Sequence, residues 1–262
     1  MDSNTSSLWF DSEPSEHKLN LICFPQAGGD TSLYNRWKVG LGDLVHVMPA
    51  RFPGRGARLA EKPHNTMEVI VSELATQLEK FETVSFALLG SSMGGWVAYE
   101  LAMHLNKQNR PQPTALFVLA SASPFSPRSL PFLEGGSREE MIEELIGFNP
   151  DFALIAEHDE LVDMLLPAII GDFRLCQNYH PRVPWQVPVP IFAFAGTQDK
   201  IVKRYKVDAW EKLSSQFVSI DEVDGGHFFI EQAPSEVLAK IKEHAKAVLD
   251  LTDGLVGAEH SK

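Results

Sequence analysis

The sequence has little cysteine: two residues in 262, Cys23 and Cys176. That excludes a disulfide-stapled secreted scaffold and fits a reducing compartment such as the cytoplasm. The N-terminal run has no basic start and no apolar core segment, so a secretory signal is not expected. No run of 18 uninterrupted apolar residues occurs, so neither a transmembrane helix nor a membrane partner is expected. The nine histidines form no HExxH pattern and no tight Cys/His cluster, so no metal site is expected. Basic charge is also scarce. Lys plus Arg is 23 against 35 Asp plus Glu, a net charge of −12. Such a surface repels phosphate backbones, and nucleic acid is not an expected partner.

What is present is an ordinary globular composition, with 44% hydrophobic and 22% charged residues. A chain of this length buries a sizeable core without staples. Short apolar runs that end at turn residues alternate with helical patterns. The strand candidates are Lys18 to Phe24, Leu44 to Met48, Val84 to Leu89, Ala115 to Ala120, Ile191 to Ala195 and Phe217 to Val223. From Met67 to Phe81, the residues Val69, Ile70, Leu74, Leu78 and Phe81 recur at helix spacing. This alternation predicts an α/β fold with a mainly parallel sheet flanked by helices.

The expected organisation is a flexible segment over 1–16, a single domain over 17–250 and a flexible tail over 251–262. The gap from about 123 to 189 is too long for a simple crossover. It predicts an inserted helical subdomain, read as a lid over a site rather than extra packing. Ser137 and Glu140 form a capping box ahead of Met141, Ile142, Leu145 and Phe148. A second helical run follows Asp159, interrupted at Pro167.

The strongest local signal is Gly90-Ser91-Ser92-Met93-Gly94. It follows a strand candidate and precedes a helical run from Gly95 to Leu105. A G-x-S-x-G in that strand–turn–helix setting is a nucleophile elbow, which exposes Ser92 at a helix N-terminus. A serine needs a base within hydrogen-bond reach and an acid to orient that base. In elbow enzymes the chain order is Ser, then Asp or Glu, then His. Asp199 follows the Ile191 strand, and His227 follows Gly225-Gly226 past the last strand. Asp221 and Asp224 compete as the acid but lie on the strand or turn of His227 itself. Asp199 is therefore preferred.

The oxyanion requires preorganised N–H donors. Met93, directly after the nucleophile, supplies one. The loop Phe24-Pro25-Gln26-Ala27-Gly28-Gly29 supplies the second, with Ala27 preferred and Gln26 the alternative. No cofactor is implied.

Together these segments resemble the stand-alone type II thioesterases of polyketide and nonribosomal peptide assembly lines. The resemblance covers about Leu19 to Leu249. It rests on FPQAGG at Phe24, FPGRG at Phe52, GSSMGG at Gly90, GTQD at Gly196 and GGHFF at Gly225. It implies an α/β-hydrolase fold and hydrolysis of acyl thioesters from the phosphopantetheine arm of an acyl- or peptidyl-carrier protein. It also implies an editing task, the removal of stalled or misprimed acyl groups. Two departures stand out. Ser91 occupies the place of a usual His before the nucleophile, and Ile170-Gly171-Asp172-Phe173 replaces an Arg-Ala-Asp-Phe run in the lid. Arg51, Arg55, Arg58 and Lys62 cluster near the FPGRG loop. They are candidates for meeting a phosphopantetheine phosphate or an acidic carrier face, against the plain alternative of a solvated loop. A general carboxylesterase or a chain-releasing thioesterase would carry the same triad, whereas a catalytically silent binding protein would have no use for it. The default oligomeric expectation is a monomer.

Overall fold

The computed structural model describes residues 9–128, 130–131, 135–181, 183–216, 218–232 and 234–259. Six strands form one sheet: β1 (Leu19–Phe24), β2 (Val45–Pro49), β3 (Phe86–Ser91), β4 (Leu116–Leu119), β5 (Ile191–Gly196) and β6 (Val218–Val223). Their spatial order is β2-β1-β3-β4-β5-β6, and each neighbouring pair is parallel. Nine α-helices are described: α1 (Ser32–Leu41), α2 (Met67–Gln77), α3 (Met93–Lys107), α4 (Arg138–Phe148), α5 (Phe152–Ala156), α6 (Asp159–Asn178), α7 (Arg204–Asp208), α8 (Phe229–Gln232) and α9 (Pro234–Glu259).

The strands read as nearly continuous apolar runs because helices cover both faces of the sheet. In β1 the alternation divides the side chains between two cores. Leu19, Leu21 and Cys23 join Tyr34 and Trp37 of α1 and Ile241 of α9. Ile22 and Phe24 join Ile70 and Leu74 of α2 and Val97 and Leu101 of α3. The chain runs outward from β1 to β2, then returns past β1 to β3. Ligands of such sheets gather at the carboxyl ends of strands where the order reverses. Here that crevice lies between the loop after β1 and the turn after β3.

The α/β expectation holds, with an α/β-hydrolase architecture. Strand positions agree with the sequence reading to within one or two residues; Phe217, taken as the first residue of the last strand, lies outside the described residues. The helical insertion is α4, α5 and α6. Leu145, Phe152, Ile169 and Phe173 form its own small core. Its capping box is present, with Glu140 N–H donating to Ser137 Oγ and Ser137 N–H donating to Glu140 Oε2.

Three expectations need correction. The N-terminal segment is not free throughout: Trp9 and Phe10 are buried in the main core. Trp9 Nε1 donates to Glu73, and Asn20 Nδ2 donates to Ser15 O. Two aromatics among polar neighbours give no periodic signal, yet burying both offsets the ordering of the segment. Residues 1–8 and 260–262 lie outside the described residues. The C-terminal helix runs on to Glu259 rather than ending near 250, since extending a formed helix costs far less than starting one. Finally, α6 continues through Pro167. Proline removes one helical hydrogen bond and normally breaks a helix interior. The buried residues on both sides, Val162 and Ala168 among them, hold the helix together.

Candidate active site

Ser92 sits between β3 and α3 with φ +48° and ψ −112°. A non-glycine residue there is strained, at a cost of order 1–3 kcal/mol. The strain persists because the surroundings leave no alternative. A Cβ on Gly90 would lie 2.0 Å from Gly94 O, and one on Gly94 would lie 2.2 Å from Phe24 O. The turn is also latched to β4. Ser92 N–H donates to Leu119 O at 2.8 Å, and Ser121 Oγ donates to Ser92 O at 2.8 Å. Ser91 is buried at the end of β3.

The structure brings Ser92, His227 and Asp199 together. Ser92 Oγ lies 3.1 Å from His227 Nε2, and His227 Nδ1 lies 2.8 Å from Asp199 Oδ2. The other carboxylate oxygen, Oδ1, accepts the backbone N–H groups of Ile201 and Val202, each at 2.8 Å. The Asp199 carboxylate is therefore fixed by the turn that carries it. The loops after β5 and β6 are bonded to each other, with Thr197 N–H on Val223 O and Gln198 N–H on Gly225 O. The two competing acids are engaged elsewhere. Asp224 accepts from Thr197 Oγ1 and Gln198 Nε2, and Asp221 pairs with Lys240 and His244.

Gln26, Ala27 and Met93 border a chamber of about 30 Å³ that also exposes Ser92 and His227. Gly28 N–H donates to Asp172 Oδ2 at 2.8 Å, and Gly29 N–H donates to Gln26 O at 2.9 Å. Those two amides are committed within the protein, which leaves Ala27 and Gln26 as the donors to weigh in this loop.

The arginine cluster is a correction. Arg55 is buried and makes a bidentate pair with Asp172, at 2.6 and 2.7 Å. It also donates to Gly29 O at 3.0 Å. Arg58 is buried, pairs with Glu61 and lies over the Trp9 ring. Arg51 donates to Phe10 O. These guanidinium groups hold the fold together rather than forming a docking patch. The pairing of Arg55 with Asp172 was missed, because the partners stand 117 residues apart and no local pattern links them.

The chamber wall also holds Trp96, Phe148, Phe173 and Cys176. Burial pushes the Cys176 thiol well up from its usual range, so it stays neutral. Burial, with the Glu100 carboxylate beside it, does the same to the Tyr179 phenol, which donates to Glu100 at 2.6 Å. Arg128 donates to Cys176 O and Tyr179 O at the end of α6, where a cation favours the helix dipole. Among the described residues, no cluster of His, Cys, Asp or Glu could hold a metal ion, and no helix is long and apolar enough to cross a membrane. What the geometry can do is activate a hydroxyl for attack on an acyl carbon.

Comparison with known proteins agrees with that chemistry. A thioesterase domain family model matches residues 19–245. The gramicidin S biosynthesis protein GrsT of Aneurinibacillus migulanus is 29% identical over 232 residues, 88% of this chain and 91% of that protein. The medium-chain S-acyl fatty acid synthase thioesterase of Homo sapiens is 30% identical over 231 residues, 86% of each chain. Among solved structures, the type II thioesterase BorB from the borrelidin biosynthetic cluster superposes with a TM-score of 0.80 at 31% identity. That match covers 90% of this chain and 97% of BorB.

Proposed function

This chain belongs to the thioesterase domain family, and from that membership we propose that it releases acyl groups from the phosphopantetheine arm of carrier proteins. The task would be editing, the clearing of stalled or misprimed acyl chains in polyketide or nonribosomal peptide synthesis. Relatives named for gramicidin S and borrelidin biosynthesis support this reading. The buried cysteines fit a cytoplasmic setting.

Ser92 Oγ attacks the thioester carbonyl carbon as His227 Nε2 takes the hydroxyl proton. Asp199 holds the imidazole in the tautomer that can accept it and stabilises the imidazolium. The N–H groups of Ala27 and Met93 bind the oxyanion. The C–S bond breaks, His227 returns the proton to the leaving thiolate, and an acyl-serine remains. His227 then deprotonates a water that attacks the acyl carbon, and Ser92 leaves with that proton as the free acid departs. The observation that carries the proposal is the unbroken relay from Ser92 through His227 to Asp199.

The test is hydrolysis of an acetylated, phosphopantetheinylated carrier protein beside a matched p-nitrophenyl ester, with Ser92→Ala protein as control. Acid release from the carrier that vanishes in the control is the expected result. Cleavage of the oxygen ester alone would leave an esterase and overturn the carrier reading.

A further inference from the structure

The chamber at Ser92, at about 30 Å³, has room for about one or two water-sized groups. Beside it, between the helical insertion and the α1–α8 side of the molecule, lies a cavity of about 690 Å³. Its insertion side is mainly apolar, with Leu145, Phe152, Leu165 and Ile169, while the facing side carries Asp30, Arg36 and Glu231. The two spaces share five lining residues: Gln26, Ala27, Phe148, Phe173 and Phe228. These five form the partition.

Four of them are held. Gln26 and Ala27 belong to the loop tied to Asp172 and Arg55. Phe173 is buried inside α6. Phe228 O accepts the N–H groups of Glu231 and Gln232, which fixes its backbone at the start of α8. Phe148 differs. It is the last residue of α4, half-buried, and the chain turns extended at Asn149 immediately after it. At Gly147, just before it, a Cβ would meet nothing within 4 Å. The Phe148 ring stands perpendicular to Phe173 at 5.3 Å and lies 6.0 Å from the His227 imidazole. It therefore contacts the proposed general base on one side and fronts the large cavity on the other.

We propose that Phe148 sets acyl-chain selectivity: its ring confines the catalytic chamber to short acyl groups, and the cavity behind it is a subsite that lays a medium-length chain along its apolar insertion wall, reached when the ring is removed or displaced. At roughly one water volume per methylene, ~30 Å³, the cavity takes an eight-carbon chain with room to spare. Each methylene moved from water into it favours binding by about fourfold when fully buried. The inference rests on the thioesterase reading and specifies its substrate.

The experiment measures kcat/KM for acetyl and octanoyl N-acetylcysteamine thioesters with the wild-type chain, Phe148→Ala and Phe148→Trp, with Ser92→Ala as blank. The octanoyl-to-acetyl ratio rises at least about tenfold in Phe148→Ala, a fraction of what six buried methylenes could give, and falls in Phe148→Trp. Phe148→Leu, which keeps bulk in the lid core, raises the ratio by less and stands in should the Ala variant not fold. An unchanged ratio in a folded small variant overturns the gate while leaving the thioesterase intact. Failure of the wild-type chain to cleave either thioester above the Ser92→Ala blank overturns the thioesterase reading itself, and the gate with it.

Discussion

At the residue scale the sharpest consequence concerns Ser92, since Ser92→Ala removes one oxygen and nothing that packs. Turnover should fall at least about 10⁴-fold, while the melting temperature stays put or rises as strain at φ +48° persists with a smaller side chain. Single-turnover kinetics beside a thermal melt checks both halves. Asp199→Asn keeps the shape but favours the wrong imidazole tautomer, and kcat should drop about 10³–10⁴-fold; a silent Asn variant would send the search for the acid elsewhere. Gly94→Ala has no comparable subtlety. Its methyl would sit 2.2 Å from Phe24 O, so soluble protein should be lost or the melt lowered steeply. These three positions were legible in the sequence because each belongs to a short strand-end motif. The proposed second oxyanion donor was legible only as a pair, Ala27 or Gln26, because neighbouring amides on one loop look alike until their acceptors are known.

At the element scale, the tie between α6 and the loop after β1 deserves its own test. Asp172 takes two hydrogen bonds from Arg55 and one from Gly28 N–H, out of contact with water. Removing one partner of a buried pair leaves a stranded charge, and Asp172→Ala should cost about 3–5 kcal/mol in a urea melt. The double variant Arg55→Met with Asp172→Leu should recover much of that stability, since apolar replacements of buried pairs often fold well. It should not recover kcat, because Gly28 N–H still lacks its acceptor and the adjacent Ala27 amide is no longer fixed. Full recovery of kcat would show that the pair serves stability alone. None of this was visible in the sequence, where Arg55 read as either a docking candidate or part of a solvated loop. Strands, by contrast, were read within a residue or two, since their apolar runs end at Pro or Gly. Pro167 misled the reading of α6 because tertiary packing overrides a local breaker.

For the molecule as a whole, both thiols are buried and their pKa values raised by desolvation. Iodoacetamide at pH 8 should leave Cys23 and Cys176 unmodified in the native protein and label both in denaturant. Cys176 also borders the chamber at Ser92, so its labelling alone, without unfolding, would report displacement of the insertion. The parallel sheet and its insertion were readable from alternation and gap length. The burial of Arg55 and Arg58 was not, because their partners lie far along the chain or across the fold from the loop that carries them.

The long reach of these contacts also orders events in time. Gly28 waits for a carboxylate 144 residues further on, and Ser92 waits for an imidazole 135 residues further on. A chain emerging from synthesis thus carries its serine long before it carries anything to awaken it. On the proposed mechanism, reactivity arrives only when the final strand has joined the sheet and α6 has settled, so that a half-made molecule would be harmless to the thioesters around it.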